Sequence, residues 1–376
     1  MPISIGVLKE NTPGERRVAL VPSVLRQYDK LGVKVLVQRG AGQDAGFEDD
    51  DYEGTTLVDS PDEVLGGADI LLKVQPPTVD EAGKMPAGAI VAGFLSPHEG
   101  DSRIKKLLAR KVTSFALELV PRITRAQSID ALSSQANIAG YKCGLWAATH
   151  CTRLFPMLTT AAGTVKPAKV LVIGAGVAGL QAIATCKRLG AVVQAYDVRS
   201  ATREQIESLG AKFVETGVKA EGEGGYAREL TAEERAQQQE ALAKQIALAD
   251  AVVTTAALPG RPAPKIIDKA TVERMKRGAA IIDMAAEGGG NCELTKPGKE
   301  VDHNGVMIYG PRNIASTVPA HASEMYARNL YNLLALLIKE GELSLNWEDQ
   351  VIADSCLTHD GEVRHQPTRE RLEGGK

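Results

Sequence analysis

The run Lys169-Val-Leu-Val-Ile is apolar and β-branched, and it leads straight into three glycines, Gly174, Gly176 and Gly179, spaced as G-x-G-x-x-G. A helical pattern follows, and a second apolar run, Ala191–Tyr196, ends on Asp197. Each glycine has a physical reason. Gly174 permits a tight turn, Gly176 lets a diphosphate approach the backbone, and Gly179 lets the helix pack on the strand. The amides of Val177 and Ala178 then face the phosphates at the positive end of the helix. Asp197 follows at the distance where a carboxylate accepts both hydroxyls of a ribose and repels a 2′-phosphate. Strand, turn, helix, strand and acid together imply a dinucleotide site that takes NAD(H) in preference to NADP(H). Val198 and Arg199 continue the same edge. Arg199 could meet a 2′-phosphate, but Asp197 favours reading it as a solvated or adenine-side arginine.

Hydride chemistry on a small substrate needs an acid or base beside the nicotinamide. The polar stretch Pro121-Arg-Ile-Thr-Arg-Ala-Gln-Ser-Ile-Asp-Ala-Leu-Ser-Ser-Gln is the candidate surface. Its Arg122, Gln127, Asp130 and Ser133 supply donors and acceptors but no His, Cys or Lys. Such a set orients a carboxamide and is poorly equipped to protonate a substrate. Taken singly, each of the four is read as readily as a loop cap or surface polar residue.

These groups need a frame. The chain has 376 residues, 44% hydrophobic and 24% charged, with a net charge of −3. That suits a globular protein of two domains. It does not suit a nucleic-acid binder, for no basic run interleaved with aromatics occurs. No secretory pattern opens the sequence and no apolar run reaches the length of a membrane span. Cys143, Cys151, Cys186, Cys292 and Cys356 are dispersed and read as reduced thiols, and no metal-ligand spacing is present.

The order of elements is βαβ-like, so the fold class is α/β: two Rossmann-like parallel-sheet domains joined by long interdomain helices. The expected domains are residues 1–133 plus 320–376, and residues 134–319 with a mobile loop over 215–230. In the first, strands are expected at Ile3–Leu8, Lys34–Gln38, Ala68–Val74, Ala89–Phe94 and Thr113–Leu119. Ser23 and Asp101 are expected to cap helices beginning near Val24 and Ile104. A long helix, Ser134–His150, follows. The second has strands at Val170–Ile173, Val192–Tyr196, Ala251–Thr255, Ala279–Met284 and Val306–Tyr309. Thr231 and Glu234 form a capping box. The helix Ser323–Lys339 is expected to pack back on the first domain. A hairpin turns at Asp360-Gly361, His359 and His365 read as a solvated pair, and residues after Gln366 read as frayed.

Four stretches resemble the NAD(H)-binding component of proton-translocating nicotinamide nucleotide transhydrogenases. They are Gly6-Val-Leu-Lys-Glu with Pro13-Gly-Glu-Arg-Arg-Val-Ala-Leu-Val-Pro, Arg125-Ala-Gln-Ser-Ile-Asp-Ala-Leu-Ser-Ser-Gln-Ala-Asn, the Gly174 turn with Tyr196-Asp-Val-Arg, and Ile282-Asp-Met-Ala-Ala-Glu-Gly-Gly-Gly-Asn-Cys. The resemblance implies AB-specific (Si–Re) hydride transfer from NADH to NADP(H) bound by a partner, the beta subunit, coupled to proton flow through membrane subunits. It implies a homodimer in the cytoplasm, peripheral on the inner face of the membrane, made as a separate subunit. It implies that Arg122, Gln127, Asp130 and Ser133 position the nicotinamide. Gly225 and Tyr226 would lie in a loop that closes over the nucleotide, and Thr255, Ala257 and Leu258 would line its adenosine side.

Alanine dehydrogenases share part of this pattern. By alignment their substrate-binding Arg and Lys correspond to Arg16 and Lys73, while their catalytic His falls on Ser96, with His98 two residues on. Arg16 and Lys73 are therefore expected in structural ion pairs. An alanine dehydrogenase-like oxidoreductase and an NAD(H)-sensing module stand as the alternative functions.

Overall fold

The computed structural model describes residues 2–217, 231–257 and 260–374. Two compact units are present: Met1–Gln135 with Ala315–Lys376, and Ala136–Ile314. Among the described residues no helix is long and apolar enough to cross a membrane.

In the first unit six parallel strands run in the order Thr56–Val58, Lys34–Gln38, Ser4–Val7, Ile70–Lys73, Ile90–Gly93, Thr113–Ala116. Strands of chain order one to six thus lie 3-2-1-4-5-6, the doubly wound arrangement. Cys356–His359 adds antiparallel to Thr113–Ala116, and Glu362–Val363 pairs with it. The central strands are buried along their whole length, as a sheet covered on both faces requires. One cover is the helix Pro319–Leu337, whose Tyr326, Leu330, Leu333, Leu334 and Leu337 are buried in the core.

The local signals were partly overridden. Pro22 opens a 3-10 turn, Pro22–Val24, so Ser23 lies inside it, and the helix Leu25–Lys30 starts without a side-chain cap. Gly100, in the left-handed region, caps Asp101–Ala109. Asp101 instead pairs with Arg371 at 2.6 Å. That pair helps to hold a helix, Gln366–Gly374, where fraying was expected. Its Thr368 is buried and donates to the Pro97 carbonyl at 2.8 Å. The histidines are engaged too: His359 bonds Thr113 at 3.0 Å and its ring packs tilted against Trp347, and His365 bonds Thr368 at 2.8 Å. A polar tail is ordered here because its side chains find partners on the sheet. The hairpin does turn at Asp360-Gly361, both at positive φ.

The second unit repeats the strand order: Lys212–Phe213, Val192–Tyr196, Lys169–Ile173, Ala251–Thr254, Ala280–Asp283, Val306–Tyr309, all parallel, then Glu300–His303 antiparallel. Two apolar clusters fill its two faces. Thr231 and Glu234 do form the capping box of the helix Ala232–Leu248. Within this unit the Ala131–His150 helix lies close against Val177–Arg188. A Cβ at Gly140 would collide with the Ala178 carbonyl, and one at Gly144 would lie 2.9 Å from Thr185. Two small residues one turn apart therefore set the seat of the helix that follows the glycine turn.

Candidate nucleotide site

The switch point of the second sheet lies between Lys169–Ile173 and Ala251–Thr254, the place where a doubly wound fold leaves a crevice at the carboxyl ends of its strands. The glycine turn sits there. Gly174 has φ +98°, and its amide donates to the Tyr196 carbonyl at 2.8 Å. Gly179 is sterically compelled, because a Cβ would overlap the Gly174 carbonyl oxygen. Gly176 differs. Its φ of −78° suits any residue, and among the described residues a Cβ there would meet no heavy atom within 4 Å. Among the described residues nothing requires glycine at 176, so the backbone there is open to close approach. Gly176 also caps the helix Val177–Arg188 without any side-chain bond, so among the described residues the first-turn amides of Val177 and Ala178 keep their donor capacity.

Asp197 follows directly on its strand, Val192–Tyr196, and is 8% exposed. Its Oδ2 accepts the Ala175 amide at 2.7 Å, tying the acid to the glycine turn. Its Oδ1 accepts the Arg199 amide at 2.9 Å. The Arg199 guanidinium bridges both oxygens at 2.9 and 3.0 Å. Burial alone would raise this carboxyl's pKa, but the Arg199 bonds and charge and the Ala175 amide together hold it below the ordinary value. Beside the acid, Val198 is 58% exposed, and Val177 in the glycine turn is 41% exposed.

Across the switch point, Thr255 Oγ1 donates to the Gly174 carbonyl at 3.2 Å. The loop after it is held by a residue to which the sequence assigned no role. Asn291, fully buried, accepts from the Ala256 amide at 3.2 Å and donates to the Ala256 and Pro264 carbonyls at 2.8 and 2.9 Å. Asp283, also fully buried, accepts from Thr254, Ala285, Cys292 and Thr295. Thus the exit loops of two neighbouring strands are cross-tied. The signal available in the sequence was only the polar Asp and Asn inside an otherwise apolar, glycine-rich motif. Ala257 is exposed in this loop. Leu258, Gly225 and Tyr226, and the expected mobile loop beyond residue 217, lie outside the described residues.

The polar stretch belongs to the first unit. Thr124–Ile129 is a 3-10 helix whose Ala126 and Ile129 are buried in the core. Asn329 and Asn332 donate to the Ser128 carbonyl at 2.8 and 3.0 Å, and Arg125 makes a bidentate pair with Asp349 at 2.9 and 2.6 Å. Asp130 accepts the Ser133 amide at 2.8 Å and its hydroxyl at 2.6 Å, which caps the long helix beginning at Ala131. Arg122 and Gln127 are exposed, and among the described residues neither side chain has an ion pair or hydrogen bond. The stretch is therefore anchored by some side chains and leaves others available.

The positions carried over from alanine dehydrogenases divide. Lys73, 1% exposed, pairs with Glu10 at 3.1 Å and Glu81 at 3.5 Å, an ion cluster as expected. Arg16 does not join an ion pair among the described residues; it is exposed, and only its amide is bound, to Ser316 at 2.7 Å and Glu15. The neighbouring Arg17 takes the pair with Glu15 at 2.7 Å, because it and not Arg16 points into the core. Ser96 has φ +45°, and its amide donates to Glu118 at 2.8 Å. His98 is exposed, its ring 6.1 Å from that of His365. Among the described residues no group of His, Cys, Asp and Glu could hold a metal ion.

Residues 6–139 match the family model "Alanine dehydrogenase/PNT, N-terminal domain", and residues 143–366 match "Alanine dehydrogenase/PNT, C-terminal domain". The chain is 46% identical to the first portion of the NAD(P) transhydrogenase alpha subunit of Rhodospirillum rubrum, covering 96% of this chain and 98% of that one. Its fold superposes on the crystal structure of transhydrogenase from Sinorhizobium meliloti with a TM-score of 0.85 and 39% identity, over 97% of this chain and 99% of the other. An L-alanine dehydrogenase structure matches with a TM-score of 0.81 and 25% identity, over 99% of each chain. With both family models matched and relatives of this similarity aligned nearly end to end, the chain belongs to the alanine dehydrogenase/PNT family and, within it, to the transhydrogenase alpha subunits.

Proposed function

We propose that this chain binds NAD(H) at the Gly174–Gly179 turn and passes a hydride from NADH to NADP⁺ held by a partner subunit, with AB stereospecificity. The observation that carries the reading is the open backbone at Gly176 beneath the first-turn amides of Val177 and Ala178, with the Asp197 carboxylate tied to the same turn. In this reading the two amides bind the diphosphate and Asp197 binds the adenosine ribose. The exposed apolar surfaces of Val177 and Val198, with Thr255 and Ala257 across the switch point, flank the adenosine. Gly225, Tyr226 and Leu258 are assigned to the same nucleotide by resemblance.

Arg122, Gln127, Asp130 and Ser133 are proposed to orient the nicotinamide. Bound NADH supplies a hydride, and the reaction NADH + NADP⁺ → NAD⁺ + NADPH moves no proton onto a substrate atom. The chain therefore needs to align one ring and exclude water, and it needs no general acid. The anchoring of this stretch through Arg125, Ser128 and Ile129 favours such a positioning role, since a loop that orients a ring must itself be held. Coupling to proton translocation through membrane subunits, homodimer formation and a peripheral place on the inner, cytoplasmic face of the membrane are part of the same proposal.

The test mixes the purified chain with NADH, an NADP⁺ analogue and the partner's NADP(H)-binding domain. Hydride transfer that requires the partner supports the proposal. Turnover of L-alanine with NAD⁺ by the chain alone would refute it in favour of an amino-acid dehydrogenase. Saturable NADH binding without transfer to any acceptor would leave a sensing module.

A further inference from the structure

The carboxylate assigned to the ribose is already saturated from within the chain. Oδ1 accepts the Arg199 amide and Nε, both at 2.9 Å; Oδ2 accepts the Ala175 amide at 2.7 Å and an Arg199 terminal nitrogen at 3.0 Å. A carboxylate offers about four lone-pair positions, two on each oxygen. A ribose diol needs two of them. The two backbone amides are fixed by the fold, one in the glycine turn and one at the start of the 3-10 turn Ser200–Thr202. Only the guanidinium can yield. Its side chain is 57% exposed, while its backbone carbonyl is pinned by the Thr202 hydroxyl at 2.8 Å. The group can therefore swing away without unfolding anything.

We propose that Arg199 is an internal competitor for the ribose site: its guanidinium occupies Asp197 in the free protein and must leave before a ribose diol can bind. This rests on the assignment of Asp197 to the ribose. The pair has a second consequence. Once displaced, the cation lies beside the 2′ position, with Asp197 as the group that keeps a 2′-phosphate out. Specificity at this edge is thus set by the pair and not by the acid alone. Because the arginine is more than half exposed, the competition is modest, of the size of a solvent-screened bidentate pair.

The experiment titrates NADH, its 2′-deoxyadenosine analogue and NADPH into the full chain by calorimetry. It compares the unaltered protein with Arg199→Met, Arg199→Lys and Asp197→Asn at high salt, where long-range attraction to the phosphates is screened. Arg199→Met is expected to bind NADH about two- to fivefold tighter. Arg199→Lys keeps the charge but cannot span both oxygens, so it falls between the two. The gain shrinks with the 2′-deoxy analogue, which claims one fewer acceptor. Asp197→Asn weakens NADH and strengthens NADPH, and the second effect vanishes when Arg199→Met is added. Unchanged or weaker NADH binding in Arg199→Met overturns the proposal, as does a gain of equal size for both ribose forms. Failure of the unaltered chain to bind any dinucleotide would refute the site assignment itself, which is a different result.

Discussion

Gly176 and Gly179 stand three residues apart in one motif, and the structure predicts opposite consequences for the same added methyl group. At Gly179 a Cβ would overlap the Gly174 carbonyl oxygen and lie 2.8 Å from its carbonyl carbon and 3.2 Å from Thr255 Oγ1. The first two atoms are backbone, held by the strand and by the Gly174 amide bond to Tyr196. Helix and strand must therefore separate. Overpacking of this kind costs about 1–3 kcal/mol, and a backbone clash belongs at the upper end. For a unit of roughly 180 residues, about 3 kcal/mol lowers the melting temperature by roughly 6–12 °C.

At Gly176 the same methyl group meets nothing within 4 Å among the described residues, and φ is already −78°. Gly176→Ala should change stability by less than about 1 kcal/mol, because alanine has fewer unfolded conformations to lose but is the poorer helix N-cap. Its effect should fall on the ligand. If the proposed diphosphate site is right, a methyl group there is expected to weaken NADH binding at least about tenfold, or ~1.4 kcal/mol. Thermal unfolding and NADH titration of the two variants decide the matter. An intact NADH affinity in Gly176→Ala would show that no phosphate comes close there. A Gly176→Ala protein as unstable as Gly179→Ala would refute the steric division, as would an unchanged melting temperature for Gly179→Ala.

Two further predictions concern the first unit. Glu15 is fully buried; burial would raise its carboxyl, but the hydrogen bonds and charge of Arg17, with Gln75 and backbone amides, lower its pKa to about 2. A depressed acid stabilises the fold above its unfolded pKa, and that stability is lost as pH falls from about 4.5 towards 2. It amounts to about 3 kcal/mol. Denaturation midpoints across this window should fall steeply in the unaltered chain and less steeply in Glu15→Gln; equal slopes would refute the assignment. Tyr326, fully buried, donates its hydroxyl hydrogen to the Lys73 carbonyl at 2.8 Å and accepts the Phe94 amide at 2.9 Å. Tyr326→Phe strands both backbone groups, so unfolding in urea should show a loss of about 1–3 kcal/mol; a variant as stable as the parent would mean that another partner replaces the hydroxyl.

Much of the frame was legible in the sequence. The strands Val192–Tyr196 and Val306–Tyr309, the capping box at Thr231 and the turn at Asp360-Gly361 come from short-range rules, and each such rule is satisfied within a few residues. The glycine turn was legible for the same reason: its tight bend and its helix start are local. Family membership, too, was readable from four short motifs.

What the tertiary structure decided involves partners far apart in sequence. The order of the tail could not be read from a polar composition, because it depends on Arg371 reaching Asp101 and Thr368 reaching Pro97. Pro22 and Gly100, neither of them the expected capping residue, set two helix starts. Which of two adjacent arginines enters the core, Arg17 over Arg16, depends on the direction of the chain at that turn. The cross-ties through Asn291 and Asp283 join loops that come together only when the parallel sheet forms. Asp197 shows the division most plainly. By itself the sequence determined that an acid ends the second strand, since a dinucleotide fold calls for one there. Only the folded chain shows that the same acid is bound by Ala175 and Arg199, because hydrogen-bond capacity is shared among whatever donors the fold brings within reach.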